Sequence, residues 1–511
     1  SWEEELKEIS EYEKITKEDL IQFANDFFKD NYVVVKKEKG SNEKLVRVEN
    51  PAITPIKINK DSQSSFLKEI VKEKSTDIAP DFIDYSKAIK TEKIKGKKTS
   101  FVANKYNDVA QVYFIFLFGS DHDKELGLAT QVLQYLGTSE FTGKELNEEF
   151  FKWGISNDFR TTPDQLIISL TGLEENLPKG IALLKDWMQN AKPDQQIYHQ
   201  NIITILESRE VAKKDKGRIM AALSSYAKFG KESRFTDVIS EDRLNEIHSE
   251  EMTQKIKDLL FMPYEIFFYG NNFTRFEEYV QPFIEEEIVP VPPKKNYPEP
   301  ATEGNVFFTN YDMVQVEMSK VARGTNVNLE NFGKINVFNE YFGRGLSSIV
   351  FQEIRESKSL AYSAYVSYAA NSELNHPDYV TTYVGTQANK LSQAVDAMDD
   401  LMGDLPQVPV QFLNAKNAVL KQIAAARVNR TNIFFNHLNL KKLGIDYDLR
   451  KDIYANIEKL TLADLTDFYN TELKPLKYNT AIIGKKENIE VETLKKMGDF
   501  QELTLTEIFG Y

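Results

Sequence analysis

Arg355 and Tyr362 are the two side chains in this sequence with the plainest chemical use. A guanidinium and a phenol both donate hydrogen bonds, so the two together suit a peptide carbonyl that gains negative charge. Taken alone, Arg355 between Glu353 and Glu356 reads as an exposed helix residue in a weak ion pair, and Tyr362 as a packed strand aromatic. Other chemistries are thinly supplied. The absence of cysteine removes disulfides, thiolate zinc sites, iron–sulfur clusters and a thiol nucleophile. The histidines are His122, His199, His248, His376 and His437, and their wide separation leaves no short His-x-x-His type of metal motif. His122, between Asp121 and Asp123, and His376, beside Pro377 in a predicted turn, read as surface residues. Glu207 and Glu210 lie on a predicted helix, where isolated acids are usually solvated, and Lys93, Lys95, Lys97 and Lys98 around Gly96 form a short solvated basic patch.

The elements that must carry these residues belong to a large globular chain. Its 511 residues are 41% hydrophobic and 28% charged, enough apolar surface for several packed units. A net charge of -14 repels phosphate backbones, which argues against nucleic acid as a partner. The apolar stretch at Val112 to Phe118 is far shorter than the roughly 18 to 20 residues that span a bilayer, so membrane insertion is not expected. The start, Ser1-Trp2-Glu3-Glu4-Glu5, is acidic and does not read as a signal peptide.

An internal repeat organises the chain. Ile15 to Leu20, His248 to Met252 and Leu460 to Leu465 each begin a helical pattern, with Thr16, Ser249 and Thr461 at the expected N-caps. Each pattern leads to a strand that opens on a tyrosine: Tyr32 to Val35, Tyr264 to Gly270 and Tyr478 to Gly484. Asn104-Lys105-Tyr106 and Thr309-Asn310-Tyr311 each open a β-rich stretch, so two complete units follow one closing segment. The boundaries expected are a tail at 1–49, a linker at 50–95, a unit at 96–290, a proline-stiffened connector at 291–301 and a last unit at 302–511. In the last unit, Ile335 to Phe342 predicts a helix stopped by Gly343-Arg344-Gly345, and Leu346 to Ile354 a second. Leu360 to Tyr368 and Asp378 to Thr386 predict a hairpin, and Leu391 to Met402 a covering helix.

The stretch Gly343 to Ser363, with its Ile-Arg-Glu helix end at Ile354-Arg355-Glu356 and its Leu-Ala-Tyr-Ser strand start at Leu360 to Ser363, resembles the insulinase-like (pitrilysin, M16) zinc metallopeptidases. The resemblance implies an α+β fold of two homologous units of the mitochondrial processing peptidase type, each a mixed, mainly antiparallel sheet with helices packed on it. It implies that residues 1–49 are the tail of a preceding unit of the same kind. It also implies that Arg355 and Tyr362 grip the substrate backbone near the scissile bond. In that family a zinc helix with His-x-x-Glu-His lies in the N-terminal half. Here the matching stretch, Gly127 to Thr138, has Thr130, Leu133 and Gln134 at the ligand and base positions, none of which serves zinc chemistry. The chain therefore resembles the non-catalytic C-terminal half of a peptide hydrolase, inactive alone and binding no metal itself. Its implied partners are peptide substrates and an N-terminal half that holds the zinc. The alternative is a catalytically inactive M16-like binding or assembly scaffold. The family resemblance places the protein in a bacterial periplasm, with cytoplasm the other possibility.

Overall fold

A computed structural model describes residues 2–36, 64–73 and 78–511. Residues 37–63 and 74–77, which include the end of the expected tail and part of the expected linker, lie outside the described residues. The chain separates into two compact units, Ser1–Thr76 and Asp77–Tyr511.

The first unit contains helices Trp2–Tyr12, Lys17–Phe27 and Ser65–Lys72. Thr16 caps the second: its hydroxyl accepts from the Asp19 amide at 3.2 Å, and the Asp19 carboxylate accepts from the Thr16 amide at 2.8 Å. Neither of the first two helices buries a residue. The strand expected at Tyr32 to Val35 is not formed: this segment is irregular and exposed. A strand exists only when a neighbour completes its hydrogen-bond ladder, and β propensity alone does not supply one.

The second unit holds two six-stranded sheets that share the order of five strands and differ in the sixth, at one edge. The first is formed by β1 (Lys90–Ile94), β2 (Lys97–Ala103), β3 (Val109–Phe116), β4 (Ser156–Thr161), β5 (Leu166–Leu173) and β6 (Glu265–Gly270), in the order β1-β2-β6-β3-β5-β4. The second is formed by β7 (Asn305–Asn310), β8 (Gln315–Asn326), β9 (Ala361–Ala369), β10 (Pro377–Gln387), β11 (Asn479–Gly484) and β12 (Asp499–Glu502), in the order β12-β7-β11-β8-β10-β9. Parallel pairing is confined to β2/β6, β7/β11 and β7/β12, so both sheets are mixed and mainly antiparallel. Strand β1 falls inside the stretch read as linker, where the turn Lys95-Gly96 takes positive φ and folds it onto β2.

The recurring helix and strand occupy equivalent places. Helix Ser249–Leu259 leads to β6, and helix Leu462–Phe468 leads to β11, each the third strand of its sheet. The N-cap of the first is His248, not Ser249, which is buried at the first helical position; the His248 amide donates to the Glu251 carboxylate at 3.0 Å. The capping carboxylate three residues on keeps the register although the cap residue is a histidine.

β6 and β11 are buried on both faces, which is why Ile266 to Tyr269 and Ala481 to Ile483 read as continuous apolar runs with no polar alternation. One face of each sheet packs on the helices that lie beside it in sequence; the other is covered by a helix from the half of this unit that carries the other sheet. Helix Lys216–Phe229 brings Ile219, Ala222 and Leu223 against Phe307, Val321, Ala481 and Ile483 of the second sheet. Helix Asn432–Lys442 brings Phe434 against Val102, Ile115, Phe267 and Tyr269 of the first, with the Phe434 and Phe267 rings stacked at 4.1 Å. Ion pairs seal both exchanges: Lys216 with Glu317 at 2.5 Å, and Lys442 with Asp164.

The connector between the two sheets is tied down at Asp237, which pairs with Lys124 and with Lys295 and accepts from the Tyr297 hydroxyl at 2.7 Å. Burial acts to raise the Asp237 carboxyl, but the hydrogen bonds from Lys124, Lys295 and Tyr297 outweigh it and bring the pKa down to about 2. A depressed carboxylate contributes stability that is present above its unfolded value of 3.8 and is lost as the pH falls through 2. Asp237→Asn should therefore lower the urea midpoint at neutral pH, with the gap to wild type narrowing as both are titrated below pH 3.8. A gap that stays constant down to pH 2 would contradict the assignment.

Candidate functional site

The helix matching a zinc-binding element runs from Leu126 to Leu133. Thr130 is buried, and its hydroxyl donates back to the Gly127 carbonyl at 3.0 Å. Leu133 lies wholly within the first hydrophobic core, and Gln134 points to solvent just past the helix end. Glu207 and Glu210 are exposed on helix Gln195–Ala212, and Glu210 pairs with Lys213 at 3.1 Å. These residues do not fit a zinc site: they supply no imidazole and do not converge. Among the described residues no three His, Cys, Asp or Glu side chains come together to hold a metal ion.

The Arg355 and Tyr362 region is built quite differently. Helix Phe332–Phe338 passes into a π-turn at Asn339–Gly343, and Gly343 then runs so close to β9 that a Cβ there would sit 2.0 Å from the Val366 carbonyl. A second π-turn, Phe351–Ser357, follows and is anchored by the fully buried Ile354. Arg355, the next residue, is thereby turned outward. The junction into β9 is tight: the Lys358 amide donates to the Glu353 carbonyl at 3.1 Å, the Leu360 amide donates to the Ile354 carbonyl at 3.0 Å, and Ser359 takes the left-handed φ of 50°.

Tyr362 owes its direction to a β-bulge. Ser363 pairs with Gly385 and Ala361 with Thr386, so Tyr362 is the extra residue with no partner across the ladder. It is 74% exposed in a strand whose Ala364, Val366 and Tyr368 are buried. The bulge frees the ring from the core and leaves it 5.1 Å from the Arg355 guanidinium, which also lies 4.8 Å from the Phe351 ring. Arg355 reaches Glu356 only at 3.6 Å, so its donors are not consumed by an ion pair. The two donors expected to act together are adjacent on an accessible rim at the edge of the second sheet.

The sequence reading missed the rest of this surface. Tyr365 of β9 stacks on Tyr383 of β10 at 5.2 Å. The Tyr383 hydroxyl is held unionised by burial and by the neighbouring Glu317. Arg344 donates to the Ser367 hydroxyl. The only trace of this cluster in the sequence is the density of aromatics in 362–383, since the pairing of Tyr365 with Tyr383 is set by register.

The family model of the peptidase M16 inactive domain matches residues 265–411, from β6 through the Arg355 and Tyr362 rim to the start of helix Pro409–Ala425. An uncharacterized zinc protease of Bacillus subtilis (strain 168), YmxG, is 32% identical over 96 residues, 19% of this chain and 23% of the relative. A solved peptidase M16 inactive domain from Pseudomonas fluorescens superposes with a TM-score of 0.61 at 14% identity, covering 78% of this chain and 98% of that one. The periplasmic protease PqqL from Escherichia coli superposes with a TM-score of 0.63 at 11% identity, covering 94% of this chain and 52% of PqqL. The chain thus spans about half the length of PqqL, and the stretch matched to YmxG is under a quarter of that relative. At these identities the solved structures establish the fold. Among the described residues no helix is long and apolar enough to cross a membrane.

Proposed function

Because the chain belongs to the M16 peptidase family and matches its inactive domain, we propose that it is the substrate-holding, non-catalytic half of an M16 zinc metalloendopeptidase. In this reading it closes over a zinc site on an N-terminal half. Arg355 and Tyr362 then donate hydrogen bonds to the peptide backbone beside the scissile bond.

The observation that carries the reading is the Arg355 and Tyr362 contact itself. A π-turn with a buried anchor and a strand bulge, two uncommon local devices, jointly present a guanidinium and a phenol 5.1 Å apart to solvent. Both are hydrogen-bond donors to an oxyanion, and the neutral carbonyl before attack needs them less than the charged one after it. Zinc bound in the other half would supply the activated water and Lewis acidity. This chain's own part is to orient the backbone and to stabilise charge on its carbonyl. Periplasmic location is the compartment we propose, by similarity to PqqL.

The test is reconstitution. Purified alone, the chain should hold no stoichiometric zinc and cleave no peptide; mixed with a separately expressed zinc-motif half, it should raise peptidase activity well above that of either part. A mixture no more active than its components would favour the second reading, an inactive M16-like scaffold. The specific support for that reading is the replacement of zinc-site residues by Thr130, Leu133 and Gln134.

A further inference from the structure

The connector between the two sheets helps to line a cavity of about 470 Å³ that the Arg355 and Tyr362 rim does not include. Helix Lys216–Phe229 and the loop after it supply Phe229, Arg234 and Phe235; the connector supplies Lys294, Tyr297 and Glu299; His376 arrives from the turn between β9 and β10. The size falls in the range of small-molecule sites, and a junction between packed halves is a common place for one. Its charged groups are of both signs, and other contacts hold several of them in place. Arg234 gives Nε and Nη2 to the buried Asp121 carboxylate at 2.8 to 3.0 Å, which leaves Nη1 without a partner among the described residues. The Tyr297 ring lies 5.4 Å from that guanidinium, with its hydroxyl held by Asp237. Glu299 meets His376 Nδ1 through Oε2 at 3.0 Å, and its Oε1 accepts nothing from the described residues.

Positive charge is in surplus here. The exposed Lys294 ammonium pairs with no carboxylate among the described residues. Beside the Phe229 wall, Lys228 lies 3.5 Å from the centre of the Tyr379 ring, also with no ion-pair partner among them; burial pushes its pKa down to about 8, and Glu299 offsets that only in part. We propose that this cavity binds a zwitterion with an aromatic side chain, either a free aromatic amino acid or a short peptide that ends in one. The ligand's carboxylate meets Arg234 Nη1 and Lys294, its ammonium meets Glu299 Oε1, and its ring lies among Phe229, Phe235 and Tyr297. A ligand with only a negative charge would face Glu299 unpaired, and one with only a positive charge would face Arg234 and Lys294. An uncharged ligand would strip water from all three without replacing it. This ligand class follows from the lining alone and does not depend on the function proposed above.

The experiment titrates the full chain by calorimetry with L-phenylalanine and, separately, with the dipeptide glycyl-phenylalanine. At least one should bind saturably and one-to-one with a Kd of about 1 mM or tighter, and the tighter of the two identifies the source as amino acid or peptide. The same compound with its amine acetylated, or with its carboxylate amidated, should bind about 10-fold more weakly, because each change removes a charged hydrogen-bonding group. Glu299→Gln should abolish the preference over the acetylated form, and Lys294→Met should narrow the preference over the amide. Both side chains lie on the connector, so the ligand-free variants should melt within a few degrees of wild type. Absence of saturable binding by both probes, or equal binding of the free and capped forms, would overturn the proposal. So would full discrimination retained in both Glu299→Gln and Lys294→Met, which would put any binding elsewhere on the chain.

Discussion

Replacing Arg355 by alanine or Tyr362 by phenylalanine in the reconstituted two-half enzyme is expected to lower kcat/KM by about 100-fold, the scale of losing one oxyanion donor. The two substitutions test different atoms. Arg355→Ala removes a guanidinium that the Tyr362 and Phe351 rings hold in place, whereas Tyr362→Phe keeps the ring and deletes only the hydroxyl. Neither should disturb the fold, because Tyr362 is exposed and Arg355 has only one weak ion pair, a class of change that costs no more than about 1 kcal/mol. The loss should fall on kcat, with zinc content and complex formation unchanged, because the donors matter most once charge has developed. Wild-type turnover in both variants would return Arg355 and Tyr362 to an ordinary surface contact.

Phe434→Ala should cost the folded chain about 3 to 4 kcal/mol, the range for emptying a buried aromatic site. Phe434 is 4% exposed, stacks on Phe267 at 4.1 Å and is the main plug that helix Asn432–Lys442 sets into the first sheet. The cavity would open between the helix and the sheet, where neither can collapse without shifting the other. Equilibrium unfolding in urea should show a large drop in midpoint, and loosened coupling should appear as a second transition. Lys442→Ala at the end of the same helix should cost under about 1 kcal/mol, since its pair with Asp164 is partly solvated. A loss below 1 kcal/mol for Phe434→Ala would mean that the helix is not what holds the first sheet covered.

Local signals were legible in the sequence where the physics is local. The capping residues Thr16 and Thr461 marked two of the helix starts, and the hairpin of β9 and β10 followed from aromatic and β-branched runs broken at Asn371 to Pro377. Ser249 was mistaken for a cap because Ser is the better capping residue, while the actual cap at His248 is identified by the Glu251 carboxylate three residues on. Tyr32 to Val35 has the composition of a strand, but pairing is a property of two segments and composition reports only one. The same limit hid the bulge at Tyr362, which is visible only against the register of Gly385 and Thr386, and the crossing of helix Asn432–Lys442 to the first sheet. Of the candidate site, the identities of Arg355 and Tyr362 were readable, and the device that brings them together was not.

The exchange of covering helices also sets a timetable for synthesis. The strands of the first sheet are all made once Gly270 has left the ribosome, but the helix that covers its far face ends only at Lys442. At about 5 to 20 residues per second, Val102, Ile115, Phe267 and Tyr269 wait roughly 10 to 30 seconds in the cell for the helix that covers them. For that interval the nascent protein carries a wide apolar sheet face, and its yield should depend on whatever shields such faces during translation more than on the stability of the finished fold.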